Sequence, residues 1–167
     1  MEIINKRRSI RKYDNKIIEQ EILEKIVRAG MQAPSAINQQ PWHFFVIRDR
    51  DKLVELSKLT AYSKMLATAS ACILLVSDKR HVKATSMYSQ DMAAATQNVL
   101  LEATYLGVGS CWIGIYGRVD RMEKIKKFME LEEFFEPFAL VSLGYPENKE
   151  DLKFIDRYDV NKVTYEG

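Results

Sequence analysis

The chain has 167 residues, of which 47% are hydrophobic, 29% charged and 10% aromatic, with a formal net charge of +2. A chain of this size buries roughly 70% of the surface that its unfolded form exposes, enough for a core without disulfide or metal staples, so a mainly disordered protein is excluded. Cys72 and Cys111 sit in apolar stretches without CxxC spacing, which excludes a disulfide scaffold and favours a reducing compartment.

At the N-terminus, Lys6, Arg7, Arg8, Arg11 and Lys12 form one basic cluster on a chain that is otherwise slightly acidic. A nucleic-acid coat needs an extended basic face, so the cluster points to a small anion. Glu19 to Met31 places Ile22, Leu23, Ile26, Val27 and Gly30 on one face and predicts a helix. Ala33 to Pro41 is loop-like, Trp42 to Ile47 predicts a buried strand, and Lys52 to Leu59 a short amphipathic helix. Tyr62 to Thr68 fits one or two helical turns, and Ala71 to Val76 a central strand.

Met87 to Leu106 is the longest predicted helix, free of Gly and Pro and stopped by Gly107. Its apolar residues occupy several faces, which places it in the middle of the fold or in a subunit interface. Gly109 to Tyr116 predicts a strand, Val119 to Met129 a charged surface helix, and Phe138 to Leu143 a fourth strand. No uninterrupted apolar region marks a secretory signal, and the longest apolar run, Ala69 to Val76, is too short to span a bilayer, so a cytoplasmic protein without membrane partners is expected. From Glu147 onward the chain is polar, yet Phe154, Tyr158 and Tyr165 are spaced through it. Rings in such a segment point to its lying on a second copy of the chain. Without a repeat or composition shift, residues 1–167 read as one α+β domain.

Three groups could carry chemistry. Arg7, Arg8, Ser9 and Arg11 offer planar cationic donors and a hydroxyl suited to a phosphomonoester; the bland alternative is a solvated basic turn, and a nucleic-acid patch is a third. The proline-stiffened loop Pro34 to Trp42 carries amides and hydroxyls able to read a heterocycle, or is an ordinary connection. Ser110 to Ile115 is a strand in which Gly114 leaves main chain uncovered for a flat ligand, or simply eases packing. His43 and His81 have no sequence support as bases, and Asp91 reads as a cap or salt-bridge partner. No P-loop, G-x-S-x-G, HExxH or G-x-G-x-x-G occurs. Lack of side-chain chemistry directs attention to a bound cofactor.

In this order, Arg7-Arg8-Ser9-Ile10-Arg11-Lys12-Tyr13, Ala33-Pro34-Ser35-Ala36-Ile37-Asn38-Gln39-Gln40-Pro41-Trp42 and Leu106-Gly107-Val108-Gly109-Ser110-Cys111-Trp112-Ile113-Gly114 resemble the nitroreductase family of FMN-dependent oxidoreductases. The resemblance implies an α+β fold with a central mixed sheet, an intertwined homodimer, and two FMN sites built from both subunits. It implies that Arg7, Arg8 and Ser9 serve the FMN phosphate and Arg11 the pyrimidine edge of the ring. Pro34, Ser35, Ala36 and Asn38 match the loop contributed by the partner subunit. Cys111, Trp112, Ile113 and Gly114 match the strand beside the isoalloxazine, where a backbone amide donates to N5. Arg157 matches a basic position reaching the phosphate, and the segment from about residue 147 to 167 is expected to extend over the partner.

The implied activity is hydride transfer from NADH or NADPH through flavin N5 to a nitroaromatic, quinone or other small acceptor in a ping-pong cycle, with no catalytic side chain and no metal. Alternatives are a flavin-cleaving, dehalogenating or azoline-oxidising enzyme of the same fold, or a flavin-binding protein with storage, sensing or regulatory duties. Ile113 stands where some members carry an acidic residue before the glycine, and the chain is too short for the helical insertion of larger relatives.

Overall fold

The computed structural model describes residues 2–148 and 154–167. Its elements are α1 (Glu2–Lys6), α2 (Gln20–Met31), β1 (Trp42–Ile47), α3 (Arg50–Ser57), β2 (Ala71–Asp78), α4 (Tyr88–Tyr105), β3 (Gly109–Gly114), α5 (Val119–Phe128) and β4 (Phe135–Gly144), with 3-10 turns at Ala36–Asn38, Lys64–Ala67 and Val160–Lys162. Among the described residues, no helix is long and apolar enough to cross a membrane.

The strands form one sheet in the order β1-β2-β4-β3, every neighbouring pair antiparallel. The central sheet is thus antiparallel throughout its named strands rather than mixed; outside them, Ser9 forms an isolated parallel bridge with Ser110. Every residue of β2 is buried, and its alternation divides the core. Cys72, Leu74 and Val76 face α3, α5 and the second 3-10 turn, while Ala71, Ile73 and Leu75 face α2 and α4. Within α4 only Gln90 and Tyr105 are exposed, in keeping with its apolar character on several faces. Gly107, at φ +73°, ends the helix in the left-handed region, and the Val108 amide donates back to the Ala103 carbonyl at 2.8 Å.

Some boundaries differ from the sequence reading. The first helix, α1, was not expected. Helix α3 starts two residues early because Asp49 caps it, its carboxylate accepting the Lys52 amide at 2.8 Å. Strand β3 stops at Gly114, after which the Ile115 and Tyr116 amides both turn to the Phe138 carbonyl. Strand β4 begins at Phe135 and runs through Pro137. Proline fits there because Pro137 lies beyond the Gly114 end of β3 and opposite an irregularity between Leu75 and Val76, so no ladder donor is lost on the β3 side. Residues 149–153 of the C-terminal segment lie outside the described residues.

Candidate functional site

The basic N-terminal segment is held on the β3 edge by main-chain and packing contacts. Ile10 donates its amide to the Ser110 carbonyl at 2.9 Å, and Tyr13 is buried with its hydroxyl 2.7 Å from both the Ile10 carbonyl and Ser142 Oγ. Gly144 makes room for this anchor, since a Cβ there would lie 2.5 Å from the Tyr13 ring.

Anchoring brings the expected cations together. Arg7, Arg8 and Arg157 line one open cavity of about 390 Å³, with Asn5, Gln97 of α4, Asp156 and Tyr158 as its other polar members. Its size is at the small end of the roughly 300–1,000 Å³ typical of small-ligand sites. Ser9 and Arg11 sit beside Cys111 of β3. Burial pushes the Cys111 thiol up, opposed by the Arg11 charge, by hydrogen bonds with Ser9 and Arg11, and by the charge of Arg7. Arg11 also donates to the Ser9 carbonyl at 3.2 Å. Trp112 is half-buried with its ring 6.1 Å from that of Phe138, whereas the Ile113 side chain is buried in the core, leaving Ile113 only its main chain to offer. Gly114 is exposed, a Cβ on it would meet nothing within 4 Å, and its carbonyl accepts from Arg121 at 2.7 Å.

Pro34, Ser35, Ala36 and Asn38 belong to a second group, anchored to α4. Ile37, Asn38 and Gln40 have φ of 49°, 55° and 45°. Left-handed backbone at non-glycine residues costs about 1–3 kcal/mol each and concentrates at functional sites. Ile37, β-branched and 72% exposed, is the least suited to it. Ser35 Oγ accepts the Gln40 amide at 3.0 Å, and Asn38 Oδ1 accepts from the Gln40 side chain at 3.2 Å.

The sequence profile of the nitroreductase family matches residues 4–63 and 52–145. The chain belongs to the nitroreductase family. It is 42% identical, over 99% of its length and 97% of the relative's, to an Archaeoglobus fulgidus protein with the provisional name NADH dehydrogenase/NAD(P)H nitroreductase. A crystal structure of a provisionally named NADH oxidase from Clostridium acetobutylicum superposes with a TM-score of 0.95 at 47% identity, covering 99% of both chains. A structure from Desulfovibrio desulfuricans, provisionally described as a nitroreductase in complex with FMN, gives 0.85 at 28% identity over 99% of this chain and 95% of that one.

Two polar constellations of this nitroreductase-family chain escaped sequence reasoning. Asp91 does not cap its own helix and forms no salt bridge among the described residues: it is buried, and its carboxylate accepts the Ala36 amide and the Gln39 side chain. An acid beside Met92, Ala95 and Val99 on a buried helix face was the available signal.

The other joins α4, β4 and the turns after β2 and β3. The Tyr88 hydroxyl donates to Glu136 at 2.5 Å and lies 3.0 Å from that of Tyr116, while Lys79 pairs with Glu136 at 2.9 Å. Burial, then the hydrogen bonds to Glu136 and Tyr116, push the Tyr88 phenol above its ordinary range. Burial alone would raise Glu136, but the hydrogen bonds from Tyr88 and Lys79 outweigh it and hold the carboxyl below the usual 4.5.

A carboxyl lowered by folding stabilises the native state above its unfolded value and loses that contribution as pH falls through the lowered one. Glu136→Gln should therefore reduce the melting temperature at neutral pH by on the order of 3 °C. The gap from wild type should close only below about pH 4.5. Melting curves across pH check this, and a pH-independent gap would contradict it.

His43 packs its ring 4.8 Å from Phe45 and 4.9 Å from Phe135, and exposed His81 lies 3.8 Å from Asp78. Neither belongs to the cationic cavity.

Proposed function

We propose that this protein is a homodimeric FMN-dependent oxidoreductase that takes hydride from NADH or NADPH and reduces a small acceptor such as a nitroaromatic or quinone. The observation that carries the reading is the convergence of Arg7, Arg8 and Arg157 on one cavity beside Ser9, Arg11 and β3. Guanidinium groups suit a phosphomonoester, and the open space at Gly114 suits the approach of a flat ring to main chain. The residues present therefore fit FMN.

In this reading Arg7, Arg8, Ser9 and Arg157 would hold the phosphate. Arg11 and main-chain donors of residues 111–114 would stabilise negative charge on the reduced ring. FMN, when bound, would supply the two-electron chemistry that couples nicotinamide oxidation to acceptor reduction in a ping-pong cycle. Cys111 Sγ is buried and raised in pKa, so it takes no nucleophilic part.

The partner in the proposal is a second copy of the chain. Phe154, Ile155, Tyr158, Val160 and Tyr165 are all exposed on the C-terminal arm, Tyr165 to 85%. An arm of this composition on a single chain leaves apolar surface in water that a second copy would cover. The loop Pro34–Asn38 would then reach the partner's cofactor, and the segment from about residue 147 to 167 would lie over the partner.

The visible spectrum of freshly purified protein tests the cofactor, and oxidation of NADH or NADPH with a panel of acceptors tests the activity. A yellow protein that releases FMN on denaturation and turns over is expected. A colourless protein that cannot be reconstituted would overturn the reading, while tight FMN with negligible turnover would favour a binding protein.

A further inference from the structure

We propose that Asp91 and Gln39 form a clamp that presets the loop Ser35–Gln40 for the cofactor, making both positioning residues of the flavin site. The inference rests on the functional reading above, in which this loop meets the partner's FMN.

The clamp uses every polar atom of two buried side chains. Asp91 Oδ1 accepts the Ala36 amide at 2.9 Å and Oδ2 accepts from Gln39 Nε2 at 2.6 Å. Gln39 Oε1 accepts the Lys83 and Ala84 amides, both at 2.8 Å. Asp91 and Gln39 are only 5% and 7% exposed. The loop is thereby tied to the first turn of α4 and to the stretch just before it, 44 to 55 positions away in sequence. The orientation of the Gln39 amide is dictated, because turning it over would set its oxygen against a carboxylate and its NH₂ against two N–H donors.

The clamp also explains how the loop keeps its unfavourable backbone. The anchored residues Ala36 and Gln39 interleave with the left-handed Ile37, Asn38 and Gln40, so the surroundings over-determine a conformation that these residues do not choose alone. Ser35 closes the turn by accepting the Gln40 amide. Groups left to meet a ligand or a partner include the exposed Ile37 side chain, the Asn38 amide nitrogen, the Gln40 side-chain oxygen and the Ser35 hydroxyl proton. A loop held in this way before the cofactor arrives avoids the ordering cost on binding.

Polarity reversal provides the test. Asp91→Asn preserves shape and can still accept the Ala36 amide, but it sets one NH₂ against another at Gln39. FMN affinity, measured by titrating apoprotein, should fall about tenfold to a hundredfold while the dimer persists. In the double variant Gln39→Glu, Asp91→Asn the carboxylate and amide exchange places and every donor regains an acceptor, with only the long 3.5 Å bond from Gln39 Nε2 to the Ala84 carbonyl lost. Affinity should return to within about threefold of wild type. A purely structural role predicts a lower melting temperature in the single variant, recovered in the double variant, with FMN affinity unchanged throughout.

Wild-type affinity in the single variant, or no recovery in the double variant, would overturn the clamp. Wild-type protein that fails to bind FMN would instead overturn the functional reading beneath it. Hydrogen exchange on the wild-type holoprotein gives an answer even if a variant does not fold. The Ala36, Lys83 and Ala84 amides should exchange as slowly as sheet amides, and exchange at the rate of open loops would refute the clamp.

Discussion

Deletion of residues 151–167 is expected to leave the chain monomeric and unable to retain FMN, both losses arriving together. The deleted residues include Arg157 of the cationic cavity and the exposed Phe154, Ile155, Tyr158, Val160 and Tyr165. If the arm covers a second copy and both copies line each site, the same contacts serve dimerisation and cofactor retention. Losing the Arg157 contact alone should weaken FMN about tenfold to a hundredfold, so the deletion must exceed that. Light scattering after size exclusion, combined with FMN titration of full-length and truncated proteins, makes the comparison. A full-length protein that stays monomeric at micromolar concentration while holding FMN tightly would refute the shared site.

Arg8→Ala should reduce FMN affinity by roughly 1.5–3 kcal/mol, about tenfold to a hundredfold, through loss of a charge-assisted contact with the phosphate. Arg8 lines the cavity with Arg7 and Arg157, so the remaining cations keep part of the attraction. Riboflavin has no phosphate, and its affinity should be nearly unchanged by the same substitution. That contrast separates a phosphate contact from general damage to the N-terminal segment, which would weaken both ligands. Equal FMN affinity in mutant and wild type would remove Arg8 from the site. If the basic cluster instead serves nucleic acid, salt-sensitive binding should persist at saturating FMN.

The readable parts of the molecule were those whose cause is local. Strand β1 matched its expected bounds and α4 came within a residue at each end, because apolar continuity, helix-forming composition and a glycine stop act within a few residues. The start of β4 was not readable, since Pro137 is tolerated only where the neighbouring strand has already ended. The three groups of candidate site residues were visible as motifs. Their division into a cationic cavity against β3 and a separate loop against α4 was not.

By itself, then, the sequence determined the α+β character and membership of the nitroreductase family. Tertiary structure decided the strand order β1-β2-β4-β3, the meeting of Arg7 and Arg8 with Arg157, and the partners of Asp91 and Glu136. The physical reason is distance along the chain. Gln39 reaches Asp91 across 52 positions and Tyr88 reaches Glu136 across 48, and such pairings leave no periodic trace. They exist because packing against the sheet excludes water from polar groups, which must then find each other.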